Sequence, residues 1–128
     1  AEMCDWVAEE SSMHPIYDQA KSINDRRAED PDTYIEVDDA GMIIGAGEII
    51  ALLKGYPSSD ITPAFEALAD NPALKVDMSK VPAVIAAIEQ IYKASELREL
   101  WEDSVHADDI VIWEKHVNEL LSRLRKIT

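Results

Sequence analysis

From Trp113 onward, apolar residues recur only in steps of three and four: Trp113, Val117, Leu120, Leu121, Leu124 and Ile127. That spacing lines one face of an α-helix and is incompatible with a half-buried strand, whose side chains alternate with period two. The same rhythm governs nearly the whole chain. Met3, Trp6, Val7 and Glu10 share one helical face at the start. Ser12 is then placed to cap a helix with Pro15 in its first turn and Ile16, Ala20 and Ile23 on its apolar side. Arg26 and Arg27 end it, near the negative pole of the helix dipole. A further helix is expected from Asp39 to Lys54, capped by Asp38 or Asp39 and stopped by Gly55. Thr62 before Pro63 opens a short helix with Phe65, Leu68 and Ala69. Ser79 opens a longer one, striped by Val81, Val84, Ile85, Ile88, Ile91 and Tyr92. Ser95 caps a short helix carrying Leu97, Leu100 and Trp101, and Asp108 caps the last.

Only Thr33 to Val37 hints at period two, and a lone strand has nothing to pair with. Residues 28 to 39 read instead as a polar connection, broken by Pro31, in which Tyr34, Ile35 and Val37 dock on the core. The expected fold class is therefore all-α, with six or seven helices packed as antiparallel pairs. A length of 128 residues with 47% apolar content supports one core, so residues 1–128 read as a single domain. The chain opens with Ala1 inside a helical pattern, which reads as a chain missing its native N-terminal segment; trimming fits better than a removed signal peptide, since the lone Cys4 gives no sign of an oxidising compartment. No run of about eighteen apolar residues occurs, so no membrane helix is expected, and the expected location is cytoplasmic.

Charge excludes more than pattern does. Twenty-six acidic residues against twelve basic ones leave a net charge of −14. Residues 1–50 carry −10 of that total and residues 51–128 only −4. Binding to nucleic acid or to an anionic membrane needs clustered Lys and Arg, so neither is an expected partner. A cationic protein is. The densest acidic stretch is Asp25, Glu29, Asp30, Asp32, Glu36, Asp38 and Asp39.

Motifs of catalysis and ligation fail on inspection. Gly41, Gly45 and Gly47 suggest a phosphate loop, but no strand precedes them, no Lys-Ser or Lys-Thr follows, and Glu36, Asp38 and Asp39 repel phosphate. They fit a buried helix better, where small residues let a neighbouring helix come close. A calcium loop starting at Glu36 has Ala40 at its fifth position and Gly47 at its twelfth, where ligands are required. Glu10 with His14 and Glu102 with His106 stand four apart, so neither pair reproduces the Glu-x-x-His spacing of a di-metal bundle, and His116 stands three before Glu119. Cys4 lies among Glu2, Asp5, Glu9 and Glu10, which disfavour a thiolate, and one cysteine builds neither a disulfide framework nor a cysteine-based zinc site. Trp6, Trp101 and Trp113 occupy helical core positions.

Three stretches together carry a resemblance. They are Tyr34-Ile35-Glu36-Val37-Asp38-Asp39 leading into Gly47-Glu48-Ile49-Ile50-Ala51-Leu52-Leu53-Lys54-Gly55-Tyr56-Pro57-Ser58, then Ser95-Glu96-Leu97-Arg98-Glu99-Leu100-Trp101-Glu102-Asp103, then Trp113 with Leu120, Leu121 and Leu124. The chain resembles a small bacterial family catalogued as a domain of unknown function, number four-two-five-nine. The Ser-Glu-Leu-Arg-Glu-Leu-Trp-Glu run is the most specific part of the likeness. The family's usual opening, a glycine- and tryptophan-containing segment with an Asn-Asp step before the pair seen here as Asp5-Trp6, is missing. The resemblance implies a small bacterial accessory protein and assigns no activity to any residue.

Charge and resemblance together give the leading expectation: a non-enzymatic, acidic immunity-type inhibitor that covers the active site of a basic toxin, most concretely a nuclease. Its contact would lie on Asp30, Asp32, Glu36, Asp38 and Asp39, with no cofactor and no metal. The alternatives are a scaffold or homodimer acting through an apolar helix groove, and a metal-dependent helical enzyme using Glu10, His14, Glu102 and His106.

Overall fold

The structure is a computed structural model; it describes residues 14–58, 63, 67 and 75–128. Within them the chain forms five α-helices and one 3-10 turn: α1 (His14–Glu29), α2 (Val37–Leu53), the turn Met78–Lys80, α3 (Val81–Lys93), α4 (Glu96–Glu102) and α5 (Asp109–Ile127). No strand occurs among the described residues, so the all-α reading holds, with five helices there rather than six or seven. The expected opening fragment, the Ser12 cap and the helix after Thr62 lie outside the described residues.

α2 is the centre of the molecule. Ala40, Ile43, Ala46, Gly47, Ile49, Ile50 and Ala51 are all buried, which places apolar surface nearly all round the helix, and α1, α3, α4 and α5 each pack against it. Gly47 permits this. A β-carbon there would come within 2.9 Å of Ile88 Cδ1 and 3.3 Å of Leu120 Cδ2 and Leu124 Cδ1. The small residue therefore admits α3 and α5 together, as the glycine pattern suggested. Gly55, at φ 89°, ends the helix as expected; its left-handed conformation favours glycine over a residue with a Cβ.

The stripes on the outer helices follow the sequence closely. Val81, Val84, Ala87, Ile88 and Ile91 are buried on α3, and Trp113, Val117, Leu120, Leu121 and Leu124 on α5. α1 packs on α3 with both running in one direction: Tyr17 meets Asp77, Asn24 donates to Ala83 O at 2.9 Å, and Arg27 reaches Ala94 O at 2.6 Å.

Several local expectations need correction. Asp38 and Asp39 do not cap α2. The N-cap is Glu36, whose side chain makes no cap bond; the Val37 amide donates instead to Glu96 Oε1 at 2.8 Å, from a different helix. Asp77, not Ser79, caps the 3-10 turn that leads into α3, accepting from Ser79 N. Asp108 precedes α5 but makes no side-chain cap bond. Trp101 is 38% exposed and Leu100 56%, so neither belongs to the core. Of the three apolar positions of α4, only Leu97 packs on the core.

Candidate functional site

The acidic stretch singled out in the sequence becomes the connector from α1 to α2. Asp30, Asp32, Glu36 and Asp38 are exposed, and Asp39 is half-buried. All five lie within residues 30–39, on the connector and the first turn of α2, where Asp38 and Asp39 also complement the helix dipole.

The backbone beneath them is held at both ends. Arg27 donates from Nε to Thr33 O at 2.6 Å and from Nη2 to Ala94 O at 2.6 Å, tying the connector to the end of α3. Asp30 Oδ1 accepts from Asp32 N at 3.0 Å, and Thr33 Oγ1 donates to Asp30 O at 2.7 Å. At the far end Ile35 is buried, and its carbonyl accepts from Glu96 N at 2.9 Å. With the Glu96 carboxylate on Val37 N, this pair of bonds fastens the start of α4 to the start of α2.

α4 is fixed in turn. Ser95, itself buried, accepts from Arg98 N at 3.1 Å and donates to Ile91 O at 2.9 Å. The Arg98 guanidinium lies 5.3 Å from the Tyr92 ring centre and 5.9 Å from that of Trp113, whose rings stack at 6.0 Å. It also donates to Tyr92 O at 2.8 Å and to Glu114 at 3.1 Å. Cation–π contact and a planar donor set explain why arginine rather than lysine stands here.

Tyr34 joins connector and helix. The residue is 51% exposed, and its hydroxyl donates to Glu99 Oε2 at 2.8 Å. That hydrogen bond, with the charge of Glu96 nearby, pushes the phenol pKa up to about 12 and keeps Tyr34 a donor.

The best-buried charge is remote from the connector. Arg123 pairs with Glu48 through both terminal nitrogens at 2.9 Å and with Glu119 at 2.5 Å, and donates to Tyr56 O at 3.2 Å. Burial alone would lower its pKa, but the two carboxylates outweigh burial and hold it above the ordinary value. The arrangement closes the turn after α2.

The histidine pairings fare differently. Glu102 ends α4 and pairs with Arg98, and His106 lies in the following turn, so the four-residue spacing does not place them on one helix. His116 is exposed, while Glu119 is engaged by Arg123. Cys4, Glu10 and the side chain of His14 lie outside the described residues. Among the described residues, no group of three or more His, Cys, Asp or Glu side chains converges as a metal site requires.

The sequence reading gave Arg27 only a helix-ending role, expected Tyr34, which is instead 51% exposed, to dock on the core, and assigned no contact to Glu96 or Arg98. The Arg98–Glu102 spacing of four was a visible signal. The reach of Arg27 to a carbonyl 67 residues away had none.

No match was found among the curated proteins or among the solved structures. The family model described as a domain of unknown function (DUF4259) matches residues 2–116, which is most of the chain, and the protein belongs to that family.

Proposed function

We propose that the protein is an acidic binding protein of the immunity type, which neutralises a basic toxin, most concretely a nuclease, by direct contact. One observation carries this reading. The Asp30, Asp32, Glu36 and Asp38 side chains are exposed and, among the described residues, in no ion pair with Lys or Arg, while the backbone that bears them is pinned. Uncompensated carboxylates steer a cationic partner and raise its association rate roughly ten- to thousand-fold at low salt. A pinned backbone lowers the ordering cost of binding. A nuclease must hold phosphates with cationic groups, so an acidic surface competes for the same groups. A bacterial cytoplasmic setting is part of the same proposal.

The test starts from a basic protein captured from a lysate of the native host at low salt and released by moderate salt. Its nucleic-acid cleavage is then measured with and without this protein. Stoichiometric loss of cleavage is expected. Replacement of Asp30, Asp32, Asp38 and Asp39 by Lys should slow association and flatten its salt dependence. Undiminished cleavage in excess protein, or binding indifferent to the replacements, overturns the reading.

A further inference from the structure

α4 is firmly pinned, held by the Ser95 cap, by Glu96 on α2, and by Arg98 against the rings of Tyr92 and Trp113. Yet it leaves apolar side chains in water. Leu97, Leu100 and Trp101 stand at positions i, i+3 and i+4 and form one stripe along the helix. Leu97 packs on the core, while Leu100 is 56% and Trp101 38% exposed. Val105, in the turn that follows, is 96% exposed. Single exposed apolar residues are ordinary, but an exposed Trp, a residue type enriched among those that dominate binding energy, with an exposed Leu beside it on a pinned helix suits an interface anchor.

The exposed charges of α4 and the residue after it are acidic. Glu99, Glu102 and Asp103 flank the stripe, with Glu102 paired to Arg98. The cation of the helix, Arg98, is turned inward. Through Tyr34 on Glu99, the stripe is joined to the acidic connector.

We propose that Leu100 and Trp101 are the apolar anchor of the partner interface, and that the occupant is a cationic protein segment with aliphatic or aromatic side chains at its centre. The inference rests on the binding reading above and names the chemistry of the partner. Charge complementarity selects this occupant. A second copy would press two acidic rims together, each on a chain of net charge −14. A wholly polar basic segment would leave Leu100 and Trp101 in water.

The test uses the full ¹⁵N-labelled chain and three synthetic probes: an amphipathic Lys/Leu peptide, a Lys/Ser peptide of equal charge, and a Glu/Leu peptide of equal apolar content. The Lys/Leu peptide should shift the amides of residues 99–105 and of Tyr34. It should bind at least about tenfold more tightly than the Lys/Ser peptide, and the Leu100→Ser/Trp101→Ser variant should erase that advantage. If the double variant fails to fold by circular dichroism, Leu100→Ser with the wild-type shift map decides. Shifts confined to residues 30–39, equal binding of the Lys/Ser or Glu/Leu peptide, or shifts at 99–105 that arise from raising the protein concentration alone would each overturn the proposal. Lys replacement of the connector acids separates the two readings. Binding that survives it but not the α4 variant refutes the connector contact and supports the anchor; the converse refutes the anchor.

Discussion

α2 contains a matched pair of glycines whose substitution separates helix propensity from packing. Gly41 is exposed, and a β-carbon there would meet nothing within 4 Å. Gly47 is buried, and its added β-carbon would meet Ile88 Cδ1 at 2.9 Å, where ordinary carbon contacts lie at about 3.5–4.0 Å. Ile88 and Leu124 are wholly buried and Leu120 nearly so, and the dense interior around them resists displacement. Replacing either glycine by alanine gains about 1 kcal/mol in helix propensity. Gly41→Ala should therefore stabilise the protein by about 0.5–1 kcal/mol. Gly47→Ala gains the same term but adds an overpacking cost of about 1–3 kcal/mol, so its net effect runs from about neutral to about 2 kcal/mol destabilising. Propensity cancels in the difference between the variants, which leaves a gap of about 1–3 kcal/mol. At about 4 °C per kcal/mol for a domain of this size, the melting temperatures should differ by roughly 4–12 °C. Urea and thermal unfolding followed by circular dichroism measure both. Equal stability of the two variants would refute the close approach of α3 and α5 to α2.

The pairing of Arg123 with Glu48 and Glu119 gives a second expectation. Arg123→Met should cost about 2 kcal/mol in urea unfolding, below the 3–5 kcal/mol typical of a broken buried pair, because Glu48 and Glu119 retain contact with water; no loss would mean that the cluster is only ornamental to stability. Tyr34 should titrate about two pH units late. With its folded pKa raised from 10.0 to about 12, its hydrogen bond contributes stability below pH 10 that is lost as pH rises towards 12. Absorbance at the phenolate band should lose its latest phase in Tyr34→Phe and move it earlier in Glu99→Gln; an unchanged titration would refute the contact. Cutting the chain after residue 116, where the family match ends, removes Val117, Leu120, Leu121 and Leu124 from the core. At about 1.5–3 kcal/mol for each buried side chain, the loss rivals the whole stability of a domain, about 5–15 kcal/mol. That fragment should show no cooperative melt.

Periodicity made the core legible because burial on a helix obeys a simple geometric rule. Ile16, Ala20 and Ile23 on α1, and Val117, Leu120 and Leu124 on α5, are buried where spacing put them. The rule fails at α4, where Leu97, Leu100 and Trp101 satisfy the same spacing but only Leu97 packs on the core, because spacing fixes which residues share a face and not whether a neighbouring element covers that face. Caps were legible only when local. Ser95 caps its own helix, as its position suggests, whereas the free amide of Val37 is answered by Glu96, 59 residues away. Acid content marked the connector as a candidate surface, but nothing in it disclosed that the connector is tethered, because the tethers run to partners distant in sequence: Arg27 reaches on to Ala94 O, and Glu96 answers Ile35 O and Val37 N.

Three inward-turned arginines make the surface more acidic than composition alone implies. Arg27 spends its guanidinium on two backbone carbonyls, Arg98 on two aromatic faces and Glu114, and Arg123 on Glu48 and Glu119. Arg27 neutralises none of the connector carboxylates beside it and instead shapes the loop that displays them. Arg27→Gln removes two charge-assisted hydrogen bonds from Thr33 O and Ala94 O, at about 1.5–3 kcal/mol each, discounted because Ala94 is exposed. The Thr33 amide, which donates to Asp30 O at 3.0 Å, should then exchange with solvent at least about tenfold faster, while the acids stay in place. If that variant still binds a cationic partner with the original rate of association but releases it faster, steering belongs to the carboxylates and retention to the shape Arg27 imposes. Unchanged exchange at Thr33 would show that the connector holds its form without Arg27 and would leave charge alone to explain recognition.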